Sequence, residues 1–119
     1  MNQALIVDDA AAEREHISNI LRDAGWLVQL SATGDDAIRK AKSDKPNIIF
    51  MDIVMPGMDG YQATRKLAED PDTRGIPVVF VSTKCQRADQ VWARMQGGKD
   101  LISKPFSANQ ILDALKYAA

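Results

Sequence analysis

The chain has 119 residues, 45% of them hydrophobic and 26% charged, with 15 Lys and Arg against 16 Asp and Glu. That length suits a single domain spanning residues 1–119, and a net charge of −1 excludes a strongly basic nucleic-acid binder and an acidic tail. With no apolar run near the roughly 20 residues of a membrane span, no signal-peptide start and one unpaired cysteine, the expected setting is the reducing cytoplasm, without membrane insertion.

Ala4–Val7 is a short apolar run, read as the first strand. Ile17, Ile20, Leu21 and Ala24 then form one helical stripe, closed by Gly25 in a helix-stopping position. Trp26–Leu30 alternates around Gln29 as an edge strand would. A second helix is predicted from about Asp35 to Lys42, with Ala37, Ile38 and Ala41 inward. Ile48–Met51 is apolar throughout, as a strand covered on both faces should be. A third helix is predicted from about Gly60 to Glu69, a fourth strand at Val78–Val81 and a fourth helix from Arg87 to Gln96. Gly97-Gly98 should loosen the next loop. Leu101–Ile102 reads as a second edge strand, and Ser107 as the N-cap of a last helix carrying Ile111, Leu112 and Leu115.

Taking Val7, Val28, Phe50, Val81 and Ile102 as one residue per strand, the spacings are 21, 22, 31 and 21 residues. A strand-helix unit repeated at that distance requires right-handed crossovers and a mostly parallel sheet with helices on both faces. The expected fold class is therefore α/β.

Asp8 and Asp9 directly follow the first run, and Asp52 directly follows the third. In an open parallel sheet the strand C-termini form the ligand crevice. If the first and third strands are neighbours, three carboxylates meet there, and they cannot all stay ionised without a cation or raised pKa values. An all-oxygen donor set with no nearby Cys or His points to Mg²⁺. A lone post-strand Asp would more simply cap a helix or start a turn. Here, however, Ser82 closes the fourth run and Lys104 follows the fifth, so a hydroxyl and an ammonium reach the same edge. Carboxylates with Mg²⁺, a hydroxyl and an ammonium suit the capture of a phosphoryl group, with a carboxylate as nucleophile.

The residues Ile6-Val7-Asp8-Asp9, Met51-Asp52 with Met55-Pro56-Gly57 and Asp59-Gly60, Pro77 to Ser82, and Lys104-Pro105 together resemble a response-regulator receiver domain, of the CheY-like single-domain kind, over essentially the whole chain. The resemblance implies a flavodoxin-like doubly wound sheet of order 2-1-3-4-5 with five helices. It implies Asp52 as phosphoacceptor, with Asp9, Asp52 and the Val54 backbone carbonyl on Mg²⁺ and Asp8 acting largely through water. Ser82 and Lys104 would contact the phosphoryl group, and Lys104-Pro105 is a candidate cis peptide. The implied donor is a phosphohistidine on a sensor histidine kinase or a small acyl phosphate. The implied output is a phosphorylation-controlled interaction face made by the fourth helix, fifth strand and fifth helix, on a monomer or weak dimer with no output domain. A narrower resemblance, carried by Asp52 to Gly57, Tyr61 to Arg65, Val91-Trp92 and Gln96-Gly97, is to receivers of type IV pilus twitching-motility systems, with a chemotaxis-like kinase as donor.

Some positions depart from that pattern. Leu101 stands where receivers often carry an inward-flipping aromatic ring, so switching would rest on Ser82 and its loop. Thr83 and then Lys84 follow the hydroxyl where Ala is usual. Lys84 at the pocket mouth reads either as a phosphate or donor partner or as a solvated loop lysine. Trp92 reads either as an interface residue or as a ring lying over the core. Cys85 and His16 lack the companions of a redox or metal site, and Asp59 reads as the cap of the third helix. Two other functions fit the residues less well. A Mg²⁺-dependent aspartyl phosphatase needs an acid two residues beyond its nucleophile, where this chain has Val54. A scaffold without phosphoryl chemistry has no use for the five site residues.

Overall fold

The computed structural model describes residues 2–119. Five parallel strands, β1 (Gln3–Val7), β2 (Leu27–Ser31), β3 (Ile48–Met51), β4 (Val78–Ser82) and β5 (Asp100–Ser103), form one sheet in the order β2-β1-β3-β4-β5. Between and after them run α1 (Ala11–Asp23), α2 (Gly34–Asp44), α3 (Gly60–Glu69), α4 (Arg87–Met95) and α5 (Ala108–Ala114), the last passing into a 3-10 turn at Leu115–Tyr117. This is the doubly wound, flavodoxin-like arrangement, and both strands with polar interruptions are its edges.

Alternate residues of each strand point to opposite faces, which splits the core in two. Ala4, Ile6, Phe50, Val79, Val81 and Ile102 pack with Ile17 and Leu21 of α1 and Ile111 and Ala114 of α5. Leu5, Val7, Met51, Phe80 and Leu101 pack with Ala37 and Ala41 of α2, Tyr61, Ala63 and Leu67 of α3, and Ala93 of α4. Each large side chain removed from water this way contributes about 1.5–3 kcal/mol.

The helix ends follow the local chemistry. Ser107 and Asp59 each cap their helix in a capping box, with Gln110 and Gln62 respectively returning the bond. Gly25, at φ +88°, ends α1, with its own amide bonded to the Arg22 carbonyl and the Trp26 amide bonded to that of Leu21.

Gly97 and Gly98 do not act simply as a loose hinge. Gly97, at φ +102°, and Gly98 donate to the Arg94 and Ala93 carbonyls, a closed helix-stop. A Cβ on Gly98 would lie 2.5 Å from the Phe80 ring. The pair is required by backbone handedness at one residue and close approach at the next.

Candidate phosphoacceptor site

Register builds the crevice. Val7 is paired with both Ser31 and Met51, so Asp8 and Asp52 are the next residues on adjacent strands. The Asp8 amide donates to the Ser31 carbonyl at 3.1 Å and the Asp52 amide to the Val7 carbonyl at 2.9 Å, which carries the ladder one residue into the site. On the other side Ser82 pairs with Ser103, and the Lys104 amide donates to the Ser82 carbonyl at 3.0 Å. The strand ends thus deliver Asp8, Asp52, Ser82 and Lys104 to one edge of the sheet.

The Lys104 Nζ lies 2.8 Å from Asp8 Oδ2, 3.3 Å from Asp52 Oδ2 and 3.9 Å from Glu13 Oε2. Asp8 is 2% exposed and Asp52 8%. Both are therefore held in a medium where an unpaired charge is costly. Asp8 Oδ1 accepts from the Ala10 amide and its backbone carbonyl accepts from Arg14, while Asp52 Oδ1 accepts from the Ile53 amide. Burial pushes the Asp52 carboxyl above its usual range. Lys104 pulls it down and the Asp8 charge adds to the rise. Burial alone would lower the Lys104 ammonium, but its hydrogen bond to Asp8 and the charges of Asp52, Asp8 and Glu13 outweigh that and raise it. Lys104 stays charged, while Asp52 is more basic than an exposed aspartate.

The exposed Asp9 completes an acidic trio: one carboxylate oxygen from each of Asp8, Asp9 and Asp52 lies within 4.8 Å of the others. Oxygens sharing an octahedral Mg²⁺ at about 2.0–2.1 Å sit about 2.9 Å apart when adjacent and about 4.2 Å apart when opposite, so the trio is near enough for its carboxylates to turn toward one ion. Three carboxylates against one ammonium also leave two surplus negative charges, which a single divalent cation neutralises. The donor set fits Mg²⁺ in number, hardness and charge.

The remaining expected site residues spread outward. Ser82 is buried, and its Oγ accepts from the Lys84 amide at 3.2 Å. The Lys84 ammonium lies 3.7 Å from Asp89 on α4. Val54 is exposed on the loop after Asp52, and the Lys104–Pro105 peptide is cis. Leu101 is buried in the core, its carbonyl accepting from Gln90 at 3.3 Å. Trp92 is half exposed beside the β3–α3 loop, not near the acids. His16 stacks on Phe106 with ring centroids 5.0 Å apart, and the Cys85 sulfur lies 3.0 Å from the Ser103 hydroxyl.

Two contributions to the site were not legible in the sequence, that of Glu13 and the packing role of Gly60. Glu13 joins the Lys104 cluster from the first turn of α1, a position only the helix's packing makes relevant. Gly60 donates its amide to the Ile53 carbonyl, and a Cβ there would lie 2.1 Å from the Asp52 carbonyl oxygen. The start of α3 is therefore pressed against the backbone of the central acid. The signal was a glycine directly after a helix cap, where a helix former would otherwise be favoured.

Comparison with known proteins agrees with this geometry. The profile of the response regulator receiver domain matches residues 4–116. The chain is 40% identical over 115 residues to Protein PilH of Pseudomonas aeruginosa, covering 97% of this chain and 95% of PilH. It is likewise 40% identical over 121 residues to Chemotaxis protein CheY of Listeria monocytogenes, covering 100% and 99% of the two chains. Among solved structures, the receiver domain of a Pseudomonas aeruginosa sensor histidine kinase, described with a magnesium ion coordinated in its active-site cleft, aligns with a TM-score of 0.88 at 29% identity over 97% of this chain and 94% of that one. Three strand ends converging on an acid trio and a lysine, in a chain so matched end to end, lead to one conclusion: the chain belongs to the receiver-domain family of two-component response regulators.

Proposed function

We propose that Asp52 is the phosphoacceptor of this receiver and that its phosphorylation switches a protein-interaction face. The supporting observation is the ammonium of Lys104, held 2.8 Å from Asp8 and 3.3 Å from Asp52 beside three converging carboxylates. An Asp52 carboxylate oxygen attacks the phosphorus of a phosphohistidine on a sensor histidine kinase. The new P–O bond forms as the P–N bond breaks, and the imidazole leaves with the electron pair and takes up a proton. Lys104 turns from its carboxylates to the incoming phosphoryl oxygens, and the Ser82 hydroxyl donates to another. Asp8, Asp9, Asp52 and the Val54 carbonyl are the groups that would hold Mg²⁺. When bound, that ion supplies positive charge to the phosphoryl oxygens and offsets the acidic surplus.

The receiver accepts and later loses its phosphoryl group by the same site, with no outside substrate turned over. Residues 1–119 act as one receiver module in the cytoplasm, a reading supported by the extent of the match to PilH and the Listeria CheY. Likeness to PilH favours a chemotaxis-like kinase serving twitching motility as donor. The aspartyl phosphate adds about −1.5 to −2 charges beside Ser82 and Lys104. That addition biases the Thr83–Gln86 loop and, through it, the face formed by α4, β5 and α5, where a downstream target binds.

The test is intact mass after incubation with a small acyl phosphate and Mg²⁺, run beside Asp52→Asn. A gain of one phosphoryl group in the wild type alone is the expected result. No gain at any Mg²⁺ concentration overturns the reading.

A further inference from the structure

A second concavity lies on the other side of the same loop. A groove of about 610 Å³ runs between the segment that follows Asp52 and the outer face of α4, bounded by Ile53, Met55, Tyr61, Lys84, Asp89 and Trp92. Its volume is that of a ligand-sized pocket. None of the carboxylates of the acid trio borders it. Its mouth is apolar and open, with Val54 63% exposed and Trp92 47% exposed.

Tyr61 makes this groove more than a surface dent. Its residue is 7% exposed, its ring packs edge-on to Phe80 with centroids 5.2 Å apart, and its hydroxyl has no hydrogen-bond partner among the described residues. A buried hydroxyl left unpaired costs roughly 1–3 kcal/mol, and native proteins seldom retain one without a use for it. Burial first, then the charges of Asp89 and Asp59, keep the phenol protonated as a donor. The groove's ionic groups are Asp59, Asp89 and Lys84, with Lys84 and Asp89 paired, so it carries a net negative charge.

We propose that this groove binds a segment of a partner protein that presents one large apolar side chain next to a basic one, with a backbone carbonyl accepting from the Tyr61 hydroxyl. The apolar side chain lies against Trp92, Val54 and Met55, and the basic one complements Asp59 and Asp89. The hydroxyl is sealed from water, so the carbonyl reaches it only as a lining side chain shifts. The exposed Lys84, held to Asp89 at 3.7 Å, is the one with least to lose. This surface lies on the α3 side of α4, apart from the α4, β5 and α5 face invoked above.

The test uses the blocked dipeptide Ac-Phe-Lys-NH2 titrated into isotope-labelled protein, read by NMR with no phosphodonor present. Its failure therefore leaves the phosphoacceptor reading standing, and failure of that reading leaves this one. Saturable shifts centred on the Trp92 indole and the Val54, Met55 and Asp89 amides are expected. Trp92→Ala should weaken binding at least about fivefold, and Tyr61→Phe about threefold to tenfold, the range of one hydrogen bond. Ac-Phe-Glu-NH2 should bind several-fold more weakly. The proposal is overturned by shifts that do not saturate, by wild-type binding in both variants, or by equal binding of the acidic dipeptide. Binding of benzamide as tight as that of the dipeptide would make the occupant a small molecule and also overturn it.

Discussion

The segment from Asp52 to Met55 separates two concavities that treat buried polarity in opposite ways. On one side Asp8, Asp52 and Lys104 are buried as charges, each answered by another within 3.3 Å. On the other side the groove under Trp92 is mostly apolar and holds one hydroxyl with no partner among the described residues. The first concavity is preorganised by its own ions, so its chemistry is set before any ligand arrives. The second leaves the Tyr61 hydroxyl without a partner among the described residues, which is what the proposed partner segment would supply. Adjacent sites on one loop can thus have opposite responses to mutation, because removing a partner is costly in one and removing an orphan is not in the other.

The largest expected effect is on the charged side. Lys104→Met leaves Asp8 and Asp52 buried without their cation, and chemical denaturation in chelator should show a loss of about 3–5 kcal/mol. Added Mg²⁺ should recover part of that stability while phosphorylation stays defective. If Lys104→Met is as stable as wild type, the ammonium is not what holds the two acids together.

Gly60→Ala comes next. Its methyl would meet the Asp52 carbonyl at 2.1 Å, and neither backbone can yield cheaply. A loss of about 1–3 kcal/mol is expected, as for other overpacked sites, with slower acyl-phosphate labelling of Asp52 measured by intact mass. An unperturbed labelling rate would show that α3 does not position the acid.

Asp52→Asn should act in the opposite direction. The folded protein raises the Asp52 pKa, so it binds that proton more tightly than the unfolded chain does. The stability linked to this group is present below the ordinary aspartate value and is lost as pH rises through the elevated one. In chelator, the variant should melt above wild type at pH 7, and the gain should shrink to nothing as the pH falls below that range. A gain independent of pH would place its cause outside the carboxylate charge.

The smallest effect belongs to the groove. Tyr61→Phe deletes a hydroxyl with no hydrogen-bond partner among the described residues, so its thermal midpoint should equal or slightly exceed that of wild type. A clear loss would mean that the hydroxyl is already satisfied in the free protein, and the contrast between the two concavities would fail.

Much of the fold was legible because its determinants are local. Apolar runs of four or five residues, Gly25 after a helical stripe, and the caps Asp59 and Ser107 act on their immediate neighbours, and each is found where the spacing placed it. Alternation around Gln29 in the second run and the shortness of the fifth marked the sheet edges for the same reason. The order of the three inner strands was legible only through resemblance, since nothing within one strand specifies its neighbour.

Acids and a lysine at strand ends were visible in the sequence because a parallel sheet sends every strand terminus to one edge. Which of them touch, and how burial shifts Asp52, depends on register across β1, β3 and β5, set by packing between distant segments. The same limit hid why Gly60 and Gly98 are glycines, which lies in what a Cβ would strike on another element. It also hid the partner of Lys84 and the groove beside Tyr61. Sequence determined the local elements and the chemistry available at the sheet's edge. Tertiary structure decided which of those groups satisfy one another and which are left for a partner, because that depends on distances between residues far apart along the chain.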